Sequence, residues 1–173
     1  DYSGSMSGDG YNQLKEAMEY ILTEEKASND MLQFTSKDKI SVIPFNGYIL
    51  GKWHTDDGSY TKELLDNISN LRPSGATNIY ETAEEAIELL KDEDMEKYNV
   101  SVILMTDGMS NVGSFRNFSK YYKYLNKDIP VYSIMFGDAY ENELEDIANL
   151  TNAKVFDGKK DLLKAFKEVR GYN

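Results

Sequence analysis

The sequence contains no cysteine among its 173 residues, and this absence excludes several kinds of chemistry at once. Disulfide bonds, zinc–thiolate sites, iron–sulfur clusters and thiol nucleophiles all require cysteine. The single histidine, His54, has no catalytic motif around it, which leaves a Ser–His–Asp arrangement without support. No apolar run approaches the about 18 residues that a membrane-spanning helix needs, so we expect no direct membrane insertion by this segment.

Positive charge is also scarce, with 19 Lys and Arg residues against 30 Asp and Glu residues and a formal net charge of -11. Nucleic-acid affinity comes mainly from Lys and Arg residues that neutralise phosphates, so the charge argues against a nucleic-acid partner. An acidic surface favours cations or basic partners only weakly, because a solvated acidic surface is the simpler explanation.

Length and composition indicate one globular domain with a sizeable core. The chain is 40% hydrophobic and 28% charged, which is typical of globular proteins. A length of 173 residues favours a single domain, and it suffices to bury a large apolar core. We therefore expect residues 1–173 to form one domain.

Apolar residues alternate between helical and strand periods along the chain. Leu14, Ala17, Met18 and Ile21 recur at the spacing of one helix face. Residues 100–106 and 129–136 are nearly continuous apolar runs, which is typical of buried parallel strands. We predict further helices over 61–71, 79–90, 115–126, 141–150 and 159–170, and shorter strands over 40–45, 48–53 and 154–156. This alternation predicts a layered α/β domain with a mostly parallel sheet.

The first six residues, Asp1-Tyr2-Ser3-Gly4-Ser5-Met6, place one carboxylate and two hydroxyls at alternate positions. Alternate side chains of an extended segment point to the same side, so these three oxygen-bearing groups can converge. Thr77 follows in a Gly-containing turn, and Asp107 comes directly after an apolar strand. Oxygen ligands with few carboxylates and several hydroxyls suit a hard divalent cation that keeps some of its waters, as Mg²⁺ does.

These candidate ligands come from places where an α/β sheet forms binding sites. In open α/β sheets, ligands bind beyond the carboxyl ends of the strands. Asp107 follows one such strand, Thr77 lies in the loop that opens a helix, and Asp1 would follow another strand if one precedes it. Turn formation and helix capping are the alternative roles for each residue considered alone. The predicted metal ligands are Asp1, Ser3, Ser5, Thr77 and Asp107.

Three motifs, in this order, resemble the metal-ion-dependent adhesion site of von Willebrand factor A domains. They are Asp1-x-Ser3-x-Ser5, in the fuller Asp-x-Ser-Gly-Ser-Met form common in bacterial members, then Gly75-x-Thr77, and Thr106-Asp107-Gly108. The order and spacing of the predicted elements fit the family from residue 1 to about 170. The resemblance implies a Rossmann-like fold with a doubly wound, mostly parallel sheet flanked by helices.

The resemblance also implies how the ligands share their work. Ser3, Ser5 and Thr77 would contribute hydroxyl oxygens to Mg²⁺, with Mn²⁺ or Ca²⁺ as alternatives, while Asp1 and Asp107 would coordinate directly or through water. Neutral ligands leave the ion much of its charge and an open position, which an Asp or Glu carboxylate of a protein partner fills. Thr77, on a separate loop, is the ligand expected to change its contact when the site switches state.

One feature departs from the family pattern. In the family, a buried strand at the middle of the sheet leads into the Asp-x-Ser-x-Ser loop, whereas here Asp1 is the first residue. A doubly wound sheet without that strand would leave unpaired backbone groups and exposed apolar side chains. We therefore expect upstream residues of a longer protein to supply the central strand that is missing from residues 1–173.

Several residues near the motifs admit two interpretations. Asp9 has the offset of one acidic residue of a second cation site in integrin β relatives, but its neighbour is not acidic and a helix-start role is simpler. Met6, Met109 and Phe115 are either apolar contacts for a partner or loop packing residues. Asn78 is either a helix N-cap or a hydrogen-bonding neighbour of the ligands.

The sequence argues against an enzyme. The segment Gly4-Ser5-Met6-Ser7-Gly8 resembles a nucleophile elbow, but methionine occupies the position where that pattern requires serine. No Walker loop or dinucleotide-binding glycine fingerprint occurs. A metal-dependent hydrolase is a weaker alternative, because an open metal position can polarise a phosphoryl or carbonyl oxygen.

The main functional hypothesis is a metal-dependent adhesion or interaction domain without enzymatic activity. The alternative is a structural or assembly module of a larger bacterial complex, in which the metal only stabilises the fold. The composition and the Asp-x-Ser-Gly-Ser-Met form favour an extracytoplasmic or cell-surface location on a bacterium.

Overall fold

The computed structural model describes residues 1–23, 34–136, 141–159 and 161–172. A short 3₁₀ helix, Gly4–Met6, precedes the regular elements. In chain order these are α1 Asp9–Ile21, β1 Ile40–Val42, β2 Trp53–Thr55, α2 Lys62–Ser69, α3 Ile79–Leu90, β3 Val102–Thr106, α4 Phe115–Leu125, β4 Val131–Met135, α5 Glu141–Leu150, β5 Val155–Asp157 and α6 Leu162–Tyr172. None of the helices in these ranges combines the length and apolar character that crossing a membrane requires.

The strands β3, β4 and β5 form a parallel sheet in that order, and α4 and α5 provide the crossovers. Val102 of β3 pairs with Val131 of β4, and Ile134 of β4 pairs with Phe156 of β5. Parallel neighbours need such long crossovers because the chain must return to the same end of the sheet. The predicted α/β fold with a mostly parallel sheet is confirmed.

The central strand β4 is buried on both faces, which makes the sheet doubly wound. Tyr132 and Ile134 belong to a core that also contains buried side chains of α1, α2 and α6. Val131 and Met135 belong to a second core, built with side chains of α3, α4 and α5. Successive side chains of a strand point to opposite faces, so one strand contributes to both cores.

A separate two-stranded antiparallel sheet joins β1 to β2, with Ile40 opposite Thr55 and Val42 opposite Trp53. The edge strand predicted over 48–53 was therefore wrong in its bounds, since pairing begins only at Trp53. The preceding residues form a tight reversal, in which the Leu50 amide donates to the Pro44 carbonyl at 2.9 Å. Ile49 and Leu50, which the sequence analysis assigned to the strand, belong to this reversal instead.

Asp1 and Tyr2 lie between the end of β3 and the segment that follows β1. The main-chain nitrogen of Asp1 donates to the Met105 carbonyl at 3.1 Å, and the Tyr2 amide donates to the Phe45 carbonyl at 2.6 Å. In the described ranges, β1 and β3 belong to separate sheets. The loop before α1, residues 1–8, is called the first loop. It therefore starts between the two sheets, close to the carboxyl end of β3.

Candidate metal centre

A chain of hydroxyl and carboxylate oxygens connects the first loop to the end of β3. The Oγ atoms of Ser3 and Ser5 are 3.0 Å apart, and Ser5 Oγ donates to Asp107 Oδ1 at 2.9 Å. With Mg²⁺–oxygen distances of about 2.0–2.1 Å, neighbouring oxygens of an octahedron lie about 2.8–3.0 Å apart. The spacing of these three oxygens therefore fits adjacent ligands of one such ion.

The Asp1 carboxylate accepts two hydrogen bonds, one from the first loop and one from the end of β3. Its Oδ1 accepts a hydrogen bond from the Ser3 amide at 2.7 Å, and its Oδ2 accepts one from Thr106 Oγ1 at 2.6 Å. Asp1 is only 7% exposed and Thr106 is fully buried. Each carboxylate oxygen has a second lone pair, so Asp1 can still accept from a water or contact a cation.

Thr77 reaches the same space from the loop before α3. Gly75 in that loop has a φ of +78°, a conformation that side chains disfavour, and its carbonyl accepts from the Gly4 amide at 3.0 Å. A Cβ atom placed on Gly108 would lie 3.4 Å from Ser5 Oγ and 3.6 Å from Thr77 Oγ1. The structure thus brings together the side chains of all five predicted ligands, which come from three separate segments.

The donor set fits a hard divalent cation. It consists of three neutral hydroxyls and two carboxylates, without nitrogen or sulfur. Across the described part of the chain, no group of three or more His, Cys, Asp and Glu side chains is placed to hold a metal ion. The absence of a side chain at Gly108 keeps space between the hydroxyls of Ser5 and Thr77. Oxygen donors with little net charge match the preferences of Mg²⁺ and Mn²⁺.

The loops around the centre are tied together by polar residues whose bonding roles the sequence analysis did not assign. The Asn111 amide donates to the Thr77 carbonyl at 2.7 Å, and the Thr77 amide donates to Asn111 Oδ1 at 3.2 Å. The Ser110 amide donates to Glu143 Oε2 at 2.9 Å. The polar residues after Asp107 were a local signal for the first pair. Nothing local indicated Glu143, because it lies 33 residues further along the chain.

Asn78 is the N-cap of α3, which confirms one of its two predicted roles. Its Oδ1 accepts from the Glu81 amide at 3.3 Å, and its Nδ2 donates to Glu81 Oε2 at 2.7 Å. Such reciprocal bonding satisfies a helix-end amide that has no partner within the helix. The cap holds the start of α3 directly after Thr77.

The residues near the motifs that had two interpretations differ in how deeply they are buried. Met6 is fully buried in the first core, which favours packing, one of its two interpretations, over contact with a partner. Phe115 packs against the second core. Met109 is 43% exposed beside Gly108 and is available for contact. Asp9 is the exposed first residue of α1, as expected for a helix-start acid.

Two tyrosines near the centre are shielded from solvent, and burial shifts their pKa. Burial raises the pKa of Tyr80 to about 12, and the negative charges of Glu143 and Asp146 add to the effect. Burial likewise raises the pKa of Tyr2 to about 12. Attraction between a cation and a carboxylate is stronger in such surroundings than in water.

A doubly wound α/β sheet with a hydroxyl-rich oxygen cluster at the carboxyl end of a strand defines a class of domain suited to divalent metals. Comparison with known proteins agrees. The von Willebrand factor type A domain family model matches residues 1–168, so the chain belongs to that family. Domains of this family typically mediate metal-dependent protein interactions.

Similar sequences occur within much longer proteins. The human inter-alpha-trypsin inhibitor heavy chain H2 is 32% identical over 163 residues, which are 88% of this chain but 16% of that protein. A probable bifunctional E2/E3 enzyme of Acanthamoeba polyphaga mimivirus is 32% identical over 104 residues, 56% of this chain and 8% of that enzyme. The chain thus spans only a small part of the relatives that it matches.

Solved structures confirm the fold. A von Willebrand factor type A protein from Catenulispora acidiphila has a TM-score of 0.67 at 17% identity, over 97% of this chain and 39% of that one. Proximal thread matrix protein 1 from the mussel byssus, with a zinc-occupied metal-ion-dependent adhesion site motif, has a TM-score of 0.64 at 21% identity, over 98% and 45%. The bacterial origin of the present chain stays a prediction.

Proposed function

We propose that this domain binds a protein partner through a divalent cation held by Asp1, Ser3, Ser5, Thr77 and Asp107. The observation that carries the proposal is the run of oxygens from Ser3 through Ser5 to Asp107, spaced 3.0 and 2.9 Å apart beyond the carboxyl end of β3. Family membership supports it, as does the zinc in the adhesion-site motif of the mussel protein.

The proposed ligands differ in their charge and in the hydrogen bonds that hold them. The hydroxyls of Ser3, Ser5 and Thr77 would contact the ion without neutralising it. Asp107 would balance part of the charge, and Asp1, held by Ser3 and Thr106, would orient a coordinated water or contact the ion directly. The bound ion supplies a positive, open position for an Asp or Glu carboxylate of the partner. We propose Mg²⁺ as the ion, with Mn²⁺ or Ca²⁺ as substitutes.

The proposal extends to the domain as a whole. Residues 1–173 act as one domain, since both hydrophobic cores share β4. Its role is interaction and not catalysis. The described contacts of His54 are with Ser41 and Asp56, which lie within hydrogen-bond distance of its imidazole nitrogens, and not with the proposed ligands. The enzyme name of the viral relative does not transfer, because the chain matches only 8% of that protein. We place the domain outside the cytoplasm, as predicted from the sequence.

Calorimetric titration of Mn²⁺, Mg²⁺ and Ca²⁺ into EDTA-stripped protein tests the metal site. We expect one binding site, and we expect Asp107→Ala to weaken Mn²⁺ binding by at least about tenfold because a ligand with charge is lost. Asp66→Ala, an exposed change on α2 with the same loss of charge, is the control and should bind normally. Equal affinity in all three proteins would contradict the proposal.

A second measurement separates partner binding from a structural module in which the metal only stabilises the fold. Glutarate can imitate a partner carboxylate at the open position of protein-bound Mn²⁺. If it displaces water there, the water-proton relaxation enhancement falls, and Thr77→Ala should diminish this response. If Mn²⁺ raises the melting temperature while glutarate leaves the relaxation unchanged, the structural-module alternative is favoured.

A further inference from the structure

Two of the proposed ligands are held at their mutual spacing by hydrogen bonds between their loops. Thr77 lies in the loop before α3, and Asp107 directly follows β3. The Thr77 carbonyl accepts from the amides of Asn111 and Val112 at 2.7 and 3.2 Å. Ser110 Oγ accepts from the Ile79 amide at 3.1 Å. The segment 110–112, which follows Asp107 closely, therefore lies directly against the loop that carries Thr77.

Glu143 of α5 is the outer support of this segment. Its Oε2 accepts from the Ser110 amide at 2.9 Å, a charge-assisted hydrogen bond across 33 residues of sequence. It also lies close enough to Tyr80, in the first turn of α3, for its negative charge to add to the burial that raises the pKa of that phenol. One half-buried carboxylate thus connects α5 to the loop after Asp107.

We propose that Glu143 is a positioning residue for the metal centre and does not contact the ion itself. By holding the Ser110 amide, it keeps the loop after Asp107 against the Thr77 loop, so that both ligands face the same space. The inference rests on the proposed function, because it presumes that these residues bind a cation. It adds α5 to the elements that determine the affinity of the site.

The variants Glu143→Asp and Glu143→Gln distinguish reach from charge. Aspartate keeps the negative charge but is one methylene shorter, so it loses the contact with Ser110. Glutamine keeps the length and an accepting oxygen but is neutral. If the hydrogen bond to the Ser110 amide positions the loop, Glu143→Asp weakens Mn²⁺ binding about tenfold, while the affinity of Glu143→Gln stays within about threefold of the wild type. If only the nearby negative charge attracts the cation, the order of the two variants is reversed and the proposal is overturned.

The experiment is a calorimetric Mn²⁺ titration of the wild type, both variants and Glu145→Ala, an exposed change on the same helix. Thermal unfolding without metal accompanies each titration. A purely structural role would lower the melting temperature of Glu143→Asp and leave its Mn²⁺ affinity unchanged, which would overturn the inference. Absence of Mn²⁺ binding in the wild type would instead overturn the proposed function, and this inference with it.

Discussion

At the scale of single residues, the proposed ligand Ser5 has a second serine two positions away, and the two residues have the same side chain. Ser5 and Ser7 are both exposed and lie two positions apart in the first loop. Only Ser5 has a described contact with Asp107, at 2.9 Å. A 3₁₀ helix over Gly4–Met6 takes the place of the extended segment that the alternation predicted, so Ser5 and Ser7 do not have to point to the same side.

Ser5→Ala and Ser7→Ala therefore form a matched pair. We expect Ser5→Ala to weaken Mn²⁺ binding about tenfold because it removes a proposed ligand, and Ser7→Ala to leave it within about twofold. Calorimetric titration of both variants checks this expectation. Equal losses in the two variants would mean that the first loop contributes through its conformation and not through the Ser5 hydroxyl.

At the scale of elements, the helix start after Thr77 couples fold stability to the site. Asn78 is 3% exposed, caps α3 through the Glu81 amide, and donates its own amide nitrogen to the Glu81 carboxylate. Its main-chain amide also donates to the Asn46 carbonyl at 2.8 Å. The cap therefore fixes where α3 begins and where the preceding loop must lie.

Replacing this cap should cost measurable stability. We expect Asn78→Ala to lower the free energy of unfolding by about 1–2 kcal/mol, because an N-cap is lost at a buried position. Asn70→Ala, the same chemical change at an exposed site at the end of α2, should stay within about 0.5 kcal/mol of the wild type. Urea unfolding of the metal-free proteins measures both. A cost at position 78 no larger than that at position 70 would refute a capping role.

At the scale of the whole molecule, several tyrosines are buried where their ionised form is disfavoured. Burial raises the pKa of Tyr2 and Tyr80 to about 12 and also raises the pKa of Tyr122. Tyr2 lies in the first core, whereas Tyr80 and Tyr122 lie in the second. Both sides of the sheet therefore resist alkaline ionisation.

The stability of the fold should fall as the pH rises above about 10. The pKa of Tyr80 is near 10 in the unfolded chain and about 12 in the fold. Between these two values the native state binds more protons than the unfolded chain, so the free energy of unfolding falls as the pH rises. The urea midpoint of metal-free protein, measured from pH 8 to 11.5, reports this loss. Tyr80→Phe should reduce the slope, while the same change at the exposed Tyr124 should not. A midpoint independent of pH would contradict the assignment.

Local patterns were sufficient for much of the architecture and for the candidate ligands. The helical spacing from Leu14 to Ile21, the apolar runs of β3 and β4, and the order of the three motifs are properties of neighbouring residues. Periodicity reports which side of an element is buried, because strands and helices repeat with fixed periods. The family, the α/β class and the five residues now proposed as ligands all followed from such patterns.

The sequence by itself determined which oxygens were available, and only the tertiary structure decided which of them meet. The sequence left open whether Met6 packs inside or contacts a partner, and the start of β2 depended on a turn that no periodicity reported. Thr106 reaches Asp1 across 105 residues, and Glu143 reaches Ser110 across 33. Such contacts depend on how the elements pack against each other, and the spacing of residues along one element carries no information about that packing.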